Sequence, residues 1–120
     1  MSIDISGYKL LYIETANEYL VAMQASVVLL EKNFKNNHAI EIIYRSAHTL
    51  KSQSTLMGYK NTASLNEFLE YTFHIIMEGK SDLNEKLIID IKTAVKKIAI
   101  SLHTIETLNH ELSLSESLIN

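Results

Sequence analysis

The chain has 120 residues, 47% of them hydrophobic, with 11 basic and 14 acidic side chains and a formal charge of −3. It contains no cysteine, which excludes disulfides and thiolate zinc sites and agrees with a reducing compartment. It also contains no proline and only three glycines, a composition that favours long helices over turn-rich sheets. No basic stripe is present, so nucleic acid is not an expected partner. No apolar run approaches the length of about 18 residues that a membrane-spanning helix needs. The start, Met1-Ser-Ile-Asp-Ile-Ser, lacks the basic and apolar regions of a signal peptide, and the expected location is cytoplasmic.

Hydrophobic spacing predicts four main helices, and short connections predict antiparallel neighbours, so the expected fold is an all-α, antiparallel four-helix bundle. The first helix runs from about Ser6 to Lys32, with Tyr8, Leu11, Tyr12, Thr15, Tyr19, Ala22, Met23, Ser26 and Leu30 along one face. Asn33 to Asn37 is a polar loop. The second helix runs from about Asn37 to Met57 and buries Ile40, Ile43, Tyr44, Ala47, Leu50, Ser54 and Met57. Gly58 suits a helix-ending position with positive φ. The third runs from about Asn61 to Glu78 with Leu65, Phe68, Leu69, Thr72, Ile75 and Ile76 inward. Either Ser64 with Glu67, at capping-box spacing, or Asn61 caps it, and Gly79 closes it. The fourth begins near Asp82, which has capping spacing to Glu85. Its stripe of Leu87, Ile88, Ile91, Ala94, Val95, Ile98, Leu102 and Ile105 is the cleanest in the chain. The whole chain is expected to be one domain, with its core at about residues 8–106. Residues 107–120 form a tail or a short fifth helix carrying Leu112, Leu114, Leu118 and Ile119.

One polar side chain on the second helix stands out. At 100° per residue, His48 falls about 110° from an apolar centre near Ile40, Ala47 and Ser54, on the half-open edge of the stripe. Its neighbours on that wheel are Glu41, Lys51, Ser52 and Thr55, with Arg45 further round. Folding the second and third helices about Tyr59 sets Glu70 opposite. His48 lies eleven residues before the turn and Glu70 eleven after it. Both therefore stand about 16 Å from the turn. A glutamate accepting the Nδ1–H fixes the imidazole tautomer and leaves the Nε2 lone pair outward, ready to attack a phosphoryl group. Lys51, one turn on, would neutralise phosphoryl charge. Spacing alone leaves the plainer readings open: a structural histidine, and a lysine that is simply a solvated charge.

The other histidines invite less. His38 fits an exposed first-turn position, and His74 fits a surface ion pair with Glu70 four residues earlier. His103 and His110 lack a comparable neighbourhood. No Glu-x-x-His or His-Glu-x-x-His run occurs, and no glycine-rich nucleotide loop. Neither a metal nor another cofactor is expected.

The run Ala39-Ile-Glu-Ile-Ile-Tyr-Arg-Ser-Ala-His-Thr-Leu-Lys51, with Ser52 and Gly58 beyond it, resembles the histidine phosphotransfer (HPt) family. That family carries a lysine at +3 from its histidine, a small residue at +4 and a glycine near +10. The resemblance is strongest to the amino-terminal phosphotransfer domain of the chemotaxis kinase CheA. It covers roughly residues 8 to 106, with His48 to Gly58 as its specific part. It implies a helical bundle in which His48 accepts a phosphoryl group from an ATP-binding kinase domain, in cis or in trans, and passes it to an aspartate of a response-regulator receiver domain. The chain itself is then a phosphoryl carrier. It implies Glu70 as the orienting carboxylate and Lys51 as electrostatic support, with Arg45, Ser52 and Thr55 on the partner surface. A stand-alone phosphorelay protein and a helical interaction module without phosphotransfer are the alternatives. Two positions depart from the family: Ser52-Gln53 replaces Gly-Gly or Gly-Ser, and Glu67 stands where some CheA domains carry a second histidine.

Overall fold

The computed structural model describes residues 5–111, with side chains from residue 7 onward. It contains four α-helices: α1 (Ile5–Lys32), α2 (Asn37–Met57), α3 (Lys60–Met77) and α4 (Glu85–Leu108). Each helix packs on its two neighbours in a closed ring, α1 on α2, α2 on α3, α3 on α4 and α4 on α1. The four-helix bundle and the limits of α1 and α2 are those expected from spacing, to within a residue, whereas α4 starts later than expected. The proposed fifth helix falls on residues 112–120, outside the described residues, while 109–111 are not helical.

The local chemistry of the helix ends explains the turns. Asn36 caps α2, its side chain accepting the amide of Ala39 at 3.1 Å. At the other end Gly58 takes φ +82°, and the amides of Gly58 and Tyr59 donate to the carbonyls of Thr55 and Ser54. This is a Schellman turn, and it lets α3 start immediately, at Lys60. A Cβ at Gly58 would meet nothing within 4 Å, so the requirement there is backbone conformation and not space.

Two expected caps are corrected. The α4 cap is Asn84, which accepts the amide of Leu87 at 2.8 Å, and not Asp82, because the helix begins two residues later than the first capping pair suggests. Neither Asn61 nor Ser64 caps α3. The helix starts at Lys60 after Tyr59, which makes no side-chain cap bond. Instead the Glu111 carboxylate, arriving from beyond α4, accepts the amides of Asn61 at 3.1 Å and Thr62 at 2.6 Å. A carboxylate at a helix N-terminus satisfies free amides and meets the positive end of the helix dipole.

Met23, Leu30, Ile43, Leu50, Leu69, Phe73, Ile91, Ile98, Leu102 and Ile105 are fully buried and form the core. The expected stripes of α2 and α4 match it closely. On α3, Phe68 is 41% exposed, whereas Phe73, Thr62 and Asn66 are buried. On α1 the expected face is rotated. Tyr8 and Leu11 are exposed, and Ile13, Ala16, Leu20 and Val27 are buried beside Tyr12, Met23, Ser26 and Leu30. The cause is an apolar surface nearly all round α1, which defines no single direction by spacing.

Candidate functional site

The site sits on the open groove between α2 and α3. His48 stands on the flank of α2, its backbone fixed by Ala47 and Leu50, both fully buried. Its side chain is 58% exposed, and its Nδ1 lies 3.0 Å from Oε2 of Glu70 on α3. The other carboxylate oxygen, Oε1, accepts from Nζ of Lys51, also at 3.0 Å. The two-residue turn at Gly58-Tyr59 holds the helices in the register that the eleven-residue count required. Leu69, fully buried next to Glu70, anchors that residue's backbone on the other side.

The electrostatics assign the tautomer. Burial pushes the Glu70 carboxyl up, but hydrogen bonds and charge from Lys51 and His48 outweigh it and hold Glu70 below the usual glutamate range. Glu70 is therefore ionised at neutral pH and can only accept. The shared proton belongs on Nδ1 of His48, which donates it. Nε2 makes no hydrogen bond among the described residues, and in the neutral imidazole with its proton on Nδ1 it is Nε2 that carries the lone pair.

Lys51 is brought to the site by way of Glu70: its ammonium rests on the carboxylate in this structure. Arg45, Ser52 and Thr55 are exposed on the same side of α2. Arg45 pairs with Glu41 one turn back. Ser52 donates to the carbonyl of His48 at 3.1 Å and Thr55 to that of Lys51 at 2.8 Å, so both hydroxyls fold back on the helix and leave a low surface beside the histidine. Gln53 turns inward, with Oε1 buried and making no hydrogen bond among the described residues, well away from that surface.

His74 does not pair with Glu70. Both oxygens of Glu70 are taken by α2, and His74 Nε2 instead meets Oε1 of Glu78 at 2.8 Å. Spacing also missed an aromatic array. The Tyr44 ring stacks on His48 (centroids 6.5 Å apart, planes 20° apart) and on His74 (6.1 Å, 28°). Tyr44, Lys51, Glu67, Glu70, Tyr71 and His74 together line a cleft of about 250 Å³ between α2 and α3. The signal was present, since Tyr44 lies one turn before His48 on the same flank.

Comparison with known proteins gives one consistent answer. No family model matches the chain. The chemotaxis protein CheA of Listeria monocytogenes is 33% identical over 78 residues, which is 65% of this chain and 13% of that protein. CheA of Bacillus subtilis is 32% identical over 80 residues, 67% of this chain and 12% of that protein. The chain thus spans about one eighth of the length of these relatives. Among solved structures, the CheA phosphotransferase domain from Thermotoga maritima superposes with a TM-score of 0.78 at 25% identity, covering 84% of this chain and 96% of that one. The phosphorylated P1 domain of CheA3 from R. sphaeroides, solved in complex with CheY6, shares the fold with a TM-score of 0.84 at 17% identity, covering 94% of this chain and 88% of that one. The helical ring, the run around His48 and these comparisons agree: the chain is similar to the phosphotransfer domain of CheA in sequence and in fold.

Proposed function

We propose that this domain carries phosphoryl groups on His48 within a CheA-type chemotaxis kinase. The observation that carries the reading is the Glu70 carboxylate on Nδ1, which leaves Nε2 free on an exposed side chain. In the uptake step the Nε2 lone pair attacks the γ-phosphorus of ATP held by a separate kinase domain. An N–P bond forms, the bond to the bridging β-phosphate oxygen breaks, and ADP leaves with that electron pair. The proton on Nδ1 stays hydrogen-bonded to Glu70, which balances the positive charge gained by the ring. In the second step a receiver-domain aspartate attacks phosphorus, and the N–P electron pair returns to Nε2.

Each residue has a distinct part. Glu70 orients the ring and selects its tautomer. Lys51, resting on Glu70, supplies a cation one helical turn from the acceptor, where the incoming phosphoryl oxygens need one. Arg45, Ser52 and Thr55 form the surface on which kinase and receiver domains dock. Positioning and charge are what phosphoryl transfer asks of an acceptor domain. The R. sphaeroides domain of this fold was captured phosphorylated and with CheY6, in keeping with the reading. No described helix is long and apolar enough to cross a membrane, and a cytoplasmic location fits a substrate of an ATP-dependent kinase.

The test is transfer of radiolabelled phosphate from a CheA catalytic fragment. Label that is acid-labile, base-stable and absent from His48→Gln supports the proposal. Label that survives His48→Gln, or complex formation without any label, contradicts it.

A further inference from the structure

We infer that Tyr44 is a positioning residue for His48: its ring fixes the plane of the imidazole that Glu70 holds by one edge. This inference rests on the phosphotransfer reading for its kinetic consequence, though not for its geometry.

A single hydrogen bond does not orient a ring. The contact from Nδ1 to Glu70 fixes one atom of the imidazole and leaves the ring free to swing about that line. Nε2, the reacting atom, sits on the far side of the ring and sweeps the largest arc. A second constraint on a ring face removes that freedom. Tyr44 supplies it, one turn before His48, with the two planes only 20° from parallel. The centroid separation of 6.5 Å lies within the range of attractive ring pairs, about 4.5–7 Å.

A wall positions a neighbour only if it is itself held. Tyr44 is half-buried and packed against the hydrophobic core. Its ring also stacks on His74 of the neighbouring helix at 6.1 Å. His74 is in turn tied by Nε2 to Glu78, which also pairs with Lys80 at 2.9 Å. The chain of contacts His48–Tyr44–His74–Glu78 crosses the groove from α2 to α3. The Glu70 bridge crosses the same groove beside it. Two crossings at different points fix both the position and the plane of the imidazole. Nucleophilic attack is sensitive to such orientation, because the lone pair must point along the line to phosphorus.

The mechanism separates Tyr44 from a docking residue. Acting through His48, it alters the rate of transfer within the complex and leaves affinity for the kinase domain alone. The experiment compares Tyr44→Phe, Tyr44→Leu and His74→Ala in the 120-residue chain, with amide spectra to verify the fold. Carbon relaxation of the His48 ring reports its order, and phosphorylation by a CheA catalytic fragment gives kcat and KM. Tyr44→Leu is expected to lower ring order and to cut kcat by about 5- to 20-fold with KM unchanged. Its His48 tautomer stays the same, because Glu70 remains. Tyr44→Phe restores order and rate, since the ring and not the hydroxyl makes the contact. His74→Ala, which leaves Tyr44 in place, gives a smaller loss of order in the same direction, and decides the matter if Tyr44→Leu does not fold. Unchanged ring order in the folded variants overturns the inference, as does a rise in KM at constant kcat. If the wild-type chain takes no label at all, the phosphotransfer reading fails, and the ring-order comparison still decides the role of Tyr44.

Discussion

In α2 the apolar and polar residues are segregated, whereas in α1 they are mixed around the whole helix. Only Leu56 among the large hydrophobics of α2 is exposed, but Tyr8, Leu10, Leu11, Val21, Val28 and Leu29 of α1 are each more than 40% exposed. A segregated helix fixes its own rotation in the bundle, and so fixes what stands on its flanks. That is why spacing alone sets His48 on an open edge. A helix that is apolar all round is held by length and neighbours, and its buried face follows from packing that spacing does not describe.

The largest effect that sharpens this comparison lies beneath the site. Phe73 is fully buried on α3, and Phe73→Ala is expected to cost about 3–5 kcal/mol in chemical denaturation. A loss under about 1 kcal/mol would show that the α2–α3 half is not the tightly packed support described.

Next comes the carboxylate that joins the two helices of the hairpin. Glu70→Gln removes the ionised acceptor, and its amide group can donate to Nδ1 and select the wrong tautomer. Phosphorylation is expected to fall by about 10- to 100-fold. Stability should change by no more than about 1 kcal/mol, as for other partly exposed pairs. The pH dependence follows from the lowered position of Glu70. A depressed carboxyl contributes stability above its unfolded value and loses it as pH falls through its folded value. The contribution is therefore intact at neutral pH and is lost only on acidification through and below the ordinary glutamate range, near about 4.3. The Glu70 carboxyl carbon should titrate below that value in the intact domain, and Lys51→Ala should move its midpoint upward.

A smaller effect is expected at the turn that sets the register. Gly58→Ala places a Cβ on a residue with φ +82° and should cost about 1 kcal/mol, read as a lower denaturation midpoint. The smallest is on α1. Val21 is 62% exposed, and Val21→Ser should change stability by less than about 0.5 kcal/mol. A large loss there would mean that the exposed side of α1 is packed in solution and would break the contrast between the two regions.

The same contrast marks how much of the molecule was legible in its sequence. The four helices, the Gly58 turn and the His48–Glu70 pairing followed from period, one glycine and a symmetric residue count about Tyr59. The face of α1 did not, because its apolar residues point everywhere. The cap of α3 did not, because the carboxylate that satisfies it comes from Glu111, fifty residues away in sequence from Asn61. The partner of His74 is not legible either, because one carboxylate serves two α2 residues at once, and local spacing does not register that Glu70 is already engaged. The Tyr44 array is hidden for a related reason: spacing sets a half-buried aromatic with the core and not with the site.

In the proposed function Glu70 holds Nδ1 and so reserves Nε2 of His48 for phosphorus. Nitrogen NMR of the ¹⁵N-labelled domain after phosphorylation tests it most directly. A phosphorus-coupled Nε2 and a protonated Nδ1 on His48 alone are expected. Phosphorus on Nδ1 of His48, or on any other histidine, would contradict it.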